Sequence, residues 1–282
     1  MISGITGSTI MNTLRMLRQV DSRMFVIIEG DEDLHLLEEF LDESNVLPYP
    51  ARGKPNALEA ARIIDRDTLP GMAVLVDRDH DGFTGEDLTW PDCVVSTLRH
   101  DFLCDLIFIA PESVERMVRA HSDPTAYSSY KASKGKVVDT AIDLLYPYTV
   151  LAVVVHIESL NIRTSGRDKV ELLAAAENGT LQQFCISAVA KAAGILEADL
   201  ASKFSQVEAQ GLDASLHVNG HDLASTLAVV TNTFCQGKLS GRTIERSLSG
   251  SFSRPHLEQT NVYRGLTEKS EAYGLDIWIK AA

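Results

Sequence analysis

The sequence predicts an α/β protein: a parallel sheet flanked by helices, followed by a mainly helical C-terminal part. Three observations predict it. First, two short apolar runs, Phe25-Val26-Ile27-Ile28 and Met72-Ala73-Val74-Leu75-Val76, each stop at carboxylates and a glycine. Continuous apolar runs of this length are how buried parallel strands read. Second, helical patterns stand between the apolar runs, giving a β-α-β-α-β alternation. Third, from Glu112 onward most segments have helical character.

The elements follow in order. Residues 1–23 read as a polar, partly helical lead-in carrying Arg15, Arg18 and Arg23. The first strand covers Phe25 to Ile28. A helix over Asp31 to Ser44 follows, because Leu34, Leu37, Phe40 and Leu41 fall at helical spacing and Asp31 and Glu32 favour its positive N-terminal end. Val46 to Tyr49 is a short extended piece. Pro55 suits a first helical position, and Leu58, Ala61 and Ile64 supply the apolar stripe of the next helix. Pro70-Gly71 punctuates before the strand Met72 to Val76. A Gly/Asp-rich loop runs from Asp77 to Pro91, and Cys93 to Leu98 reads as a fourth strand. The expected helices beyond are Glu112–His121, Lys136–Leu145, Lys169–Glu177, Leu181–Ala193, Glu197–Gln210 and His221–Phe234. The expected division is an α/β domain at residues 1–110 and a mainly helical domain at 111–282.

The chain has 282 residues, 45% hydrophobic and 23% charged, as soluble globular proteins do. A net charge of −13 argues against a general nucleic-acid coat but leaves room for a local basic groove. Cys93, Cys104, Cys185 and Cys235 form no C-x-x-C pair, which points to free thiols in a reducing cytoplasm. The N-terminus lacks a sustained apolar stretch of the signal-peptide kind. The run Val150 to Val155 is too short to span a bilayer, so no membrane association is expected.

The chemistry concentrates where the strands end. Open α/β sheets hold ligands at the carboxyl ends of their strands. Glu29, Asp77 and Asp79 would meet there. Asp77 and Asp79 point to one side of an extended chain, Asp81 continues the row, and Asp33 lies one helical turn after Glu29. Such oxygen ligands suit Mg²⁺ or Mn²⁺, and two such ions can clamp a phosphodiester displacement. Asp31, Glu32 and Asp87 read instead as helix caps or solvated loop acids. Lys54, at a helix start, is placed to neutralise charge on a phosphate. His100-Asp101 either lines the same crevice or caps the next helix. The D-x-D-x-D-G start of a calcium loop is present, but Leu88 stands at the twelfth position and a strand precedes it, so that reading fails. Gly53-Lys54 is not a P-loop. A haloacid-dehalogenase-type phosphatase would carry D-x-D on its first strand with a following Thr, and here it follows the third.

Ile27-Ile28-Glu29-Gly30-x-x-Asp33 followed by Val76-Asp77-Arg78-Asp79-His80-Asp81 resembles the Toprim domain shared by topoisomerases, bacterial primases and OLD-type nucleases. Gly53-Lys54-Pro55-Asn56 and Gly220-His221-Asp222-Leu223 resemble a compact OLD-like family that includes the Toprim effector of the PARIS anti-phage system. The resemblance implies a Mg²⁺-dependent endonuclease, with Glu29 as general base or metal ligand and Asp77 and Asp79 as metal ligands. It implies an ABC-type ATPase partner that holds a toxic nuclease, RNA such as tRNA favoured over DNA, and a homo-oligomer when active. One departure concerns the run His100-Asp101-Phe102-Leu103, where the family often has a further acid at the position of Leu103. Either Asp101 or Asp105 substitutes, or a second metal is absent and the two-metal mechanism does not carry over.

Phosphate-binding charge is offered by Lys131, Lys134 and Lys136, by Arg163, Arg167 and Lys169, and by Lys238, Arg242, Arg246 and Arg254. Two other classes fit the same residues. One is a phosphatase or phosphotransferase for a small phosphate ester. The other is a non-catalytic Toprim-like assembly module.

Overall fold

The computed structural model describes residues 5–83, 89–162, 164 and 168–280. Helix α1 (Gly7–Arg18) leads into strand β1 (Met24–Ile28), helix α2 (Asp31–Leu37), β2 (Val46–Pro50), α3 (Lys54–Asp67), β3 (Met72–Val76) and β4 (Val94–Ser96). The helices that follow are α4 (Phe102–Ile109), α5 (Pro111–Ala120), α6 (Pro124–Lys134), α7 (Val137–Ile157), α8 (Lys169–Glu177), α9 (Leu181–Ala193), α10 (Glu197–Glu208), α11 (Ala214–His217), α12 (Gly220–Phe234), α13 (Gly241–Ser251), α14 (Arg254–Leu257) and α15 (Asn261–Ala272). The sheet is parallel throughout, in the order β2-β1-β3-β4, so the α/β class expected from the apolar runs is the class observed.

Two compact units result: Met1–Leu98 together with Ser253–Ala282, and Arg99–Phe252. The division expected near residue 110 therefore falls earlier, and the last segment returns to the first unit. Its return has a packing reason. Gly265 of α15 lies so close to β4 that a Cβ would stand 2.6 Å from Val95 Cγ1. The Asn261 amide donates to the Ser96 carbonyl at 2.8 Å, and Leu41 bridges antiparallel to Trp278.

In the first unit, β1 and β3 are buried along their whole length. Alternate residues Phe25, Ile27, Val74 and Val76 join Ile10, Met11 and Leu14 of α1 and Ala57, Ala61 and Ile64 of α3 in one core. The helix expected over Asp31 to Ser44 is shorter. It ends as α-helix at Leu37, passes through a 3₁₀ turn at Glu38–Phe40, and Leu41 is extended. Leu41 is fixed by its bridge to Trp278, a tertiary partner that outweighs the local periodicity.

In the second unit, α7 is twice as long as the apolar spacing of 136–145 indicated. It carries Pro147 inside and runs through Val150–Val155. At 21 residues it is long and apolar enough to cross a membrane, yet 61% of its apolar window is buried inside the protein, as in a core helix.

Candidate active-site crevice

From β1 the chain moves to β2 on one side, then crosses back to β3 on the other. The gap between β1 and β3 is therefore a topological switch point, where open α/β sheets leave a crevice at the carboxyl ends. Glu29 follows β1 there and Asp77 follows β3. The Glu29 N–H continues the ladder to the Leu75 carbonyl at 3.0 Å, and the Asp77 N–H donates to Glu29 Oε2 at 3.2 Å.

The turn between β2 and α3 delivers Lys54. Arg52 and Gly53 both have positive φ, at 59° and 121°, and the latter is accessible at little cost only to glycine. This bend lets the Gly53 N–H reach the Glu29 carbonyl at 2.9 Å. The Lys54 backbone N–H, the first of α3, also points at the Glu29 carboxylate. Burial raises the Glu29 carboxyl above its ordinary range, Asp79 adds to the rise, and the N–H groups of Asp77 and Lys54 work against it.

The Lys54 side chain is largely buried, 14% exposed. Its Nζ donates to Asp79 Oδ2 at 2.7 Å, to Asp81 Oδ2 at 2.6 Å and to the Arg78 carbonyl at 3.2 Å. It also lies 5.4 Å from the centre of the Trp90 ring. Burial lowers the ammonium's pKa, but Asp79 and Asp81 more than offset this and hold it above the ordinary lysine value. Asp79 takes a left-handed conformation (φ 52°), which Asp tolerates better than most residues. The chain after Asp77 is thus a turn, and the extended row of Asp77, Asp79 and Asp81 is corrected: Asp79 and Asp81 converge on Lys54 by bending. Asp33 sits in the first turn of α2, with its Oδ2 3.3 Å from where a Gly30 Cβ would lie, and so belongs to the start of that helix rather than to the partners of Lys54.

The oxygens are of the kind a hard cation takes. Their arrangement is another matter. Among the described residues no three Asp, Glu, His or Cys side chains stand together as a metal-holding group. The carboxylates that converge do so on an ammonium, and as arranged the set does not fit an added ion.

Other expected site residues lie elsewhere. Asp101 caps α4, its Oδ1 accepting from the Cys104 N–H at 2.7 Å. Its Oδ2 accepts from the Gly220 N–H at 2.7 Å, and the His100 Nδ1 is 3.1 Å away. His100-Asp101 therefore holds two helix starts of the second unit together. Asp105 is fully buried against Arg99, 3.3 Å from its guanidinium. These contacts of both acids lie within the second unit. The motif Gly220-His221-Asp222-Leu223 is explained by the same packing. A Cβ on Gly220 would strike Asp101 Oδ1 and lie 2.8 Å from the Cys104 nitrogen. His221 pairs with Glu245 at 2.9 Å, Asp222 with buried Lys169 at 2.8 Å, and Leu223 is in the core. No chemical step is needed to account for these residues, and the signal that could have found them is the N-cap pattern of Asn219 before Gly220.

Of the basic clusters, Lys131, Lys134 and Lys136 are exposed on α6 and at the start of α7, with Lys131 3.3 Å from Glu115 and Lys134 over the Phe234 ring. Arg242 and Arg246 are exposed one turn apart on α13. Lys169 is removed from its cluster by its buried pair with Asp222. Arg254 belongs to the first unit, bound to Glu258 and Tyr263. Arg163, Arg167 and Asp87 lie outside the described residues.

No family model matches the chain, and no curated protein matches it.

Proposed function

We propose that the crevice between β1 and β3 hydrolyses phosphodiester bonds, with RNA such as tRNA favoured over DNA, as a Toprim-type nuclease of the OLD kind. One observation carries this reading: Glu29, Lys54, Asp79 and Asp81, read from separated segments as phosphate chemistry, gather at the carboxyl ends of adjacent central strands. Glu29, its carboxyl raised by burial, is a stronger base than an exposed carboxylate and is suited to accept a proton from an attacking water. Lys54 supplies the positive charge that a phosphoryl oxygen needs as it gains charge. Mg²⁺ or Mn²⁺ is the cofactor that the resemblance implies, and no step is routed through it, because Lys54 fills the space between Asp79 and Asp81. Exposed Lys131, Lys134, Lys136, Arg242 and Arg246 are the candidates for backbone phosphate contacts. In keeping with the resemblance, the proposed setting is a cytoplasmic toxic effector of anti-phage defence. It would be a homo-oligomer when active, and held by an ABC-type ATPase.

The test is cleavage of a panel of supercoiled DNA, single-stranded DNA and total tRNA with Mg²⁺ or Mn²⁺, comparing wild type with Glu29→Ala. Metal-dependent cutting lost in the variant supports the reading. Cutting that survives Glu29→Ala removes it. A second reading, the assembly module, has one observation in its favour. Glu29 binds the N–H groups at two segment ends, as a purely structural carboxylate would. It predicts biological activity intact in Glu29→Ala.

A further inference from the structure

We propose that the groove between α1 and α3 is a binding site for a nucleoside monophosphate, its phosphate held by Arg62 with Arg15 and Arg66 and its base laid on Met11 and Ile63. The groove shares no residue with the crevice, so its occupancy is independent of what Glu29 and Lys54 do. It holds about 360 Å³, within the range of roughly 300–1,000 Å³ typical of small-molecule sites.

The two helices run side by side in the same direction, and both ends of the groove are pinned. At one end Gly7 approaches α3 so closely that a Cβ would stand 2.7 Å from the Ala60 nitrogen, and the Gly7 N–H donates to Glu59 Oε2 at 2.9 Å. At the other end Arg15 pairs with Asp67. The groove is therefore formed before any ligand arrives. Its floor is apolar: Met11 is fully buried and Ile63 half-buried. Its wall is basic, with three arginines to one carboxylate in a chain whose net charge is −13.

The acids nearby are already engaged. Glu59 accepts from the Gly7 and Ser8 N–H groups and from the Ser8 hydroxyl. Asp67 is shared by Arg15 and Arg66. Arg62 is exposed and makes no hydrogen bond or ion pair among the described residues; it acts on Glu59 through its field. Arg62 and Arg66 stand one turn apart on α3, across the groove from Arg15 of α1. A guanidinium carries five N–H donors, of which Arg66 spends those of Nε and one Nη on Asp67. The donors left over match the oxygens of a phosphate, which arginine takes in a planar fork. An apolar floor beneath charged forks is what a planar base with a phosphate attached requires. The exposed Asn12 amide offers a donor and an acceptor to the base edge.

The experiment is calorimetric titration of the full chain with the four ribonucleoside monophosphates, and with adenosine and inorganic phosphate as controls, on wild type, Arg62→Lys and Arg62→Ala. Circular dichroism checks folding, which an exposed side chain should not disturb. At least one nucleotide should saturate wild type at millimolar concentration or below. Arg62→Ala should weaken it by at least about tenfold, the factor that one charge-assisted hydrogen bond contributes, and Arg62→Lys should recover only part of the loss. Adenosine should not bind, and inorganic phosphate should bind more weakly than the nucleotide. No saturation by any of the four overturns the proposal. So does inorganic phosphate binding as tightly as the nucleotide, or nucleotide affinity unchanged in Arg62→Ala. Phenylglyoxal labelling read by mass spectrometry needs no substitution: the nucleotide should protect Arg62, and undiminished labelling at saturation overturns the proposal. The nuclease reading stands or fails separately, on cleavage by Glu29→Ala, a variant that should bind nucleotide as wild type does. Loss of nucleotide binding in Glu29→Ala would place the ligand in the crevice and overturn the proposal.

Discussion

Asp101→Asn is the sharpest test of how the second unit is held. The substitution keeps shape and removes charge. The native carboxylate accepts two backbone N–H groups at 2.7 Å from two different helix starts, α4 and α12, in a buried site. An asparagine can present its oxygen to only one of them and turns its NH₂ toward the other. One charge-assisted bond is lost, one buried donor is left unsatisfied, and the remaining bond becomes neutral. Together these cost about 3–5 kcal/mol. With a urea slope of about 2 kcal/mol per molar, the unfolding midpoint falls by about 2 M, readable by far-ultraviolet circular dichroism. The pH dependence fixes the sign. Burial raises the Asp101 carboxyl, but the His100 ring and the Gly220 and Cys104 N–H groups outweigh it, leaving the carboxyl below its ordinary value. Its contribution is therefore complete above the unfolded pKa of about 3.9 and is lost as pH falls through the folded value. The gap between wild type and variant should close in acid. A variant within about 1 kcal/mol of wild type at neutral pH would refute the reasoning, because one neutral hydrogen bond accounts for that much.

Further outcomes follow from the same contacts. Gly220→Ala, whose Cβ meets Asp101 and Cys104, should cost about 2–4 kcal/mol in denaturant titrations. Gly250→Ala, in α13 with open space around it, should stabilise by up to about 1 kcal/mol. The thiols of Cys93 and Cys185, pushed up by burial to about 11 and about 12, should react with a disulfide reagent at about pH 8 only after unfolding. If Glu29 is the base, the rate of cleavage should rise with pH through a limb above the ordinary carboxyl value of about 4.3, and Glu29→Gln should abolish that limb while leaving the circular dichroism spectrum unchanged.

The sheet was legible because its two central strands are buried on both faces, so burial wrote them as unbroken apolar runs ending at Glu29 and Asp77. Lys54 was legible through the helix start after Gly53. The bend at Asp79 was not, because an Asp two residues after a strand looks extended until φ is known. His100-Asp101 was ambiguous for a different reason. A carboxylate before a helix reads the same whether it caps or reacts, and its second partner, the Gly220 N–H, lies 119 residues away. Lys169 looked like surface charge because its partner Asp222 is 53 residues distant. The return of the C-terminal segment left no trace, since Gly265 and Asn261 act through backbone proximity and a single amide bond rather than through an apolar pattern.

That return gives the chain an order of maturation. The sheet is encoded before Leu98, but α15 and Trp278, which cover β4 and pin Leu41, are encoded after Ser253. Synthesis of the intervening segment takes on the order of 10 s, long enough for the helical unit to close first. A chain arrested at Phe252 should carry a protease-resistant helical unit and an open, cleavable sheet. The unit bearing the crevice is completed only after the helical unit has been made, so a chain arrested before Ser253 carries no completed crevice.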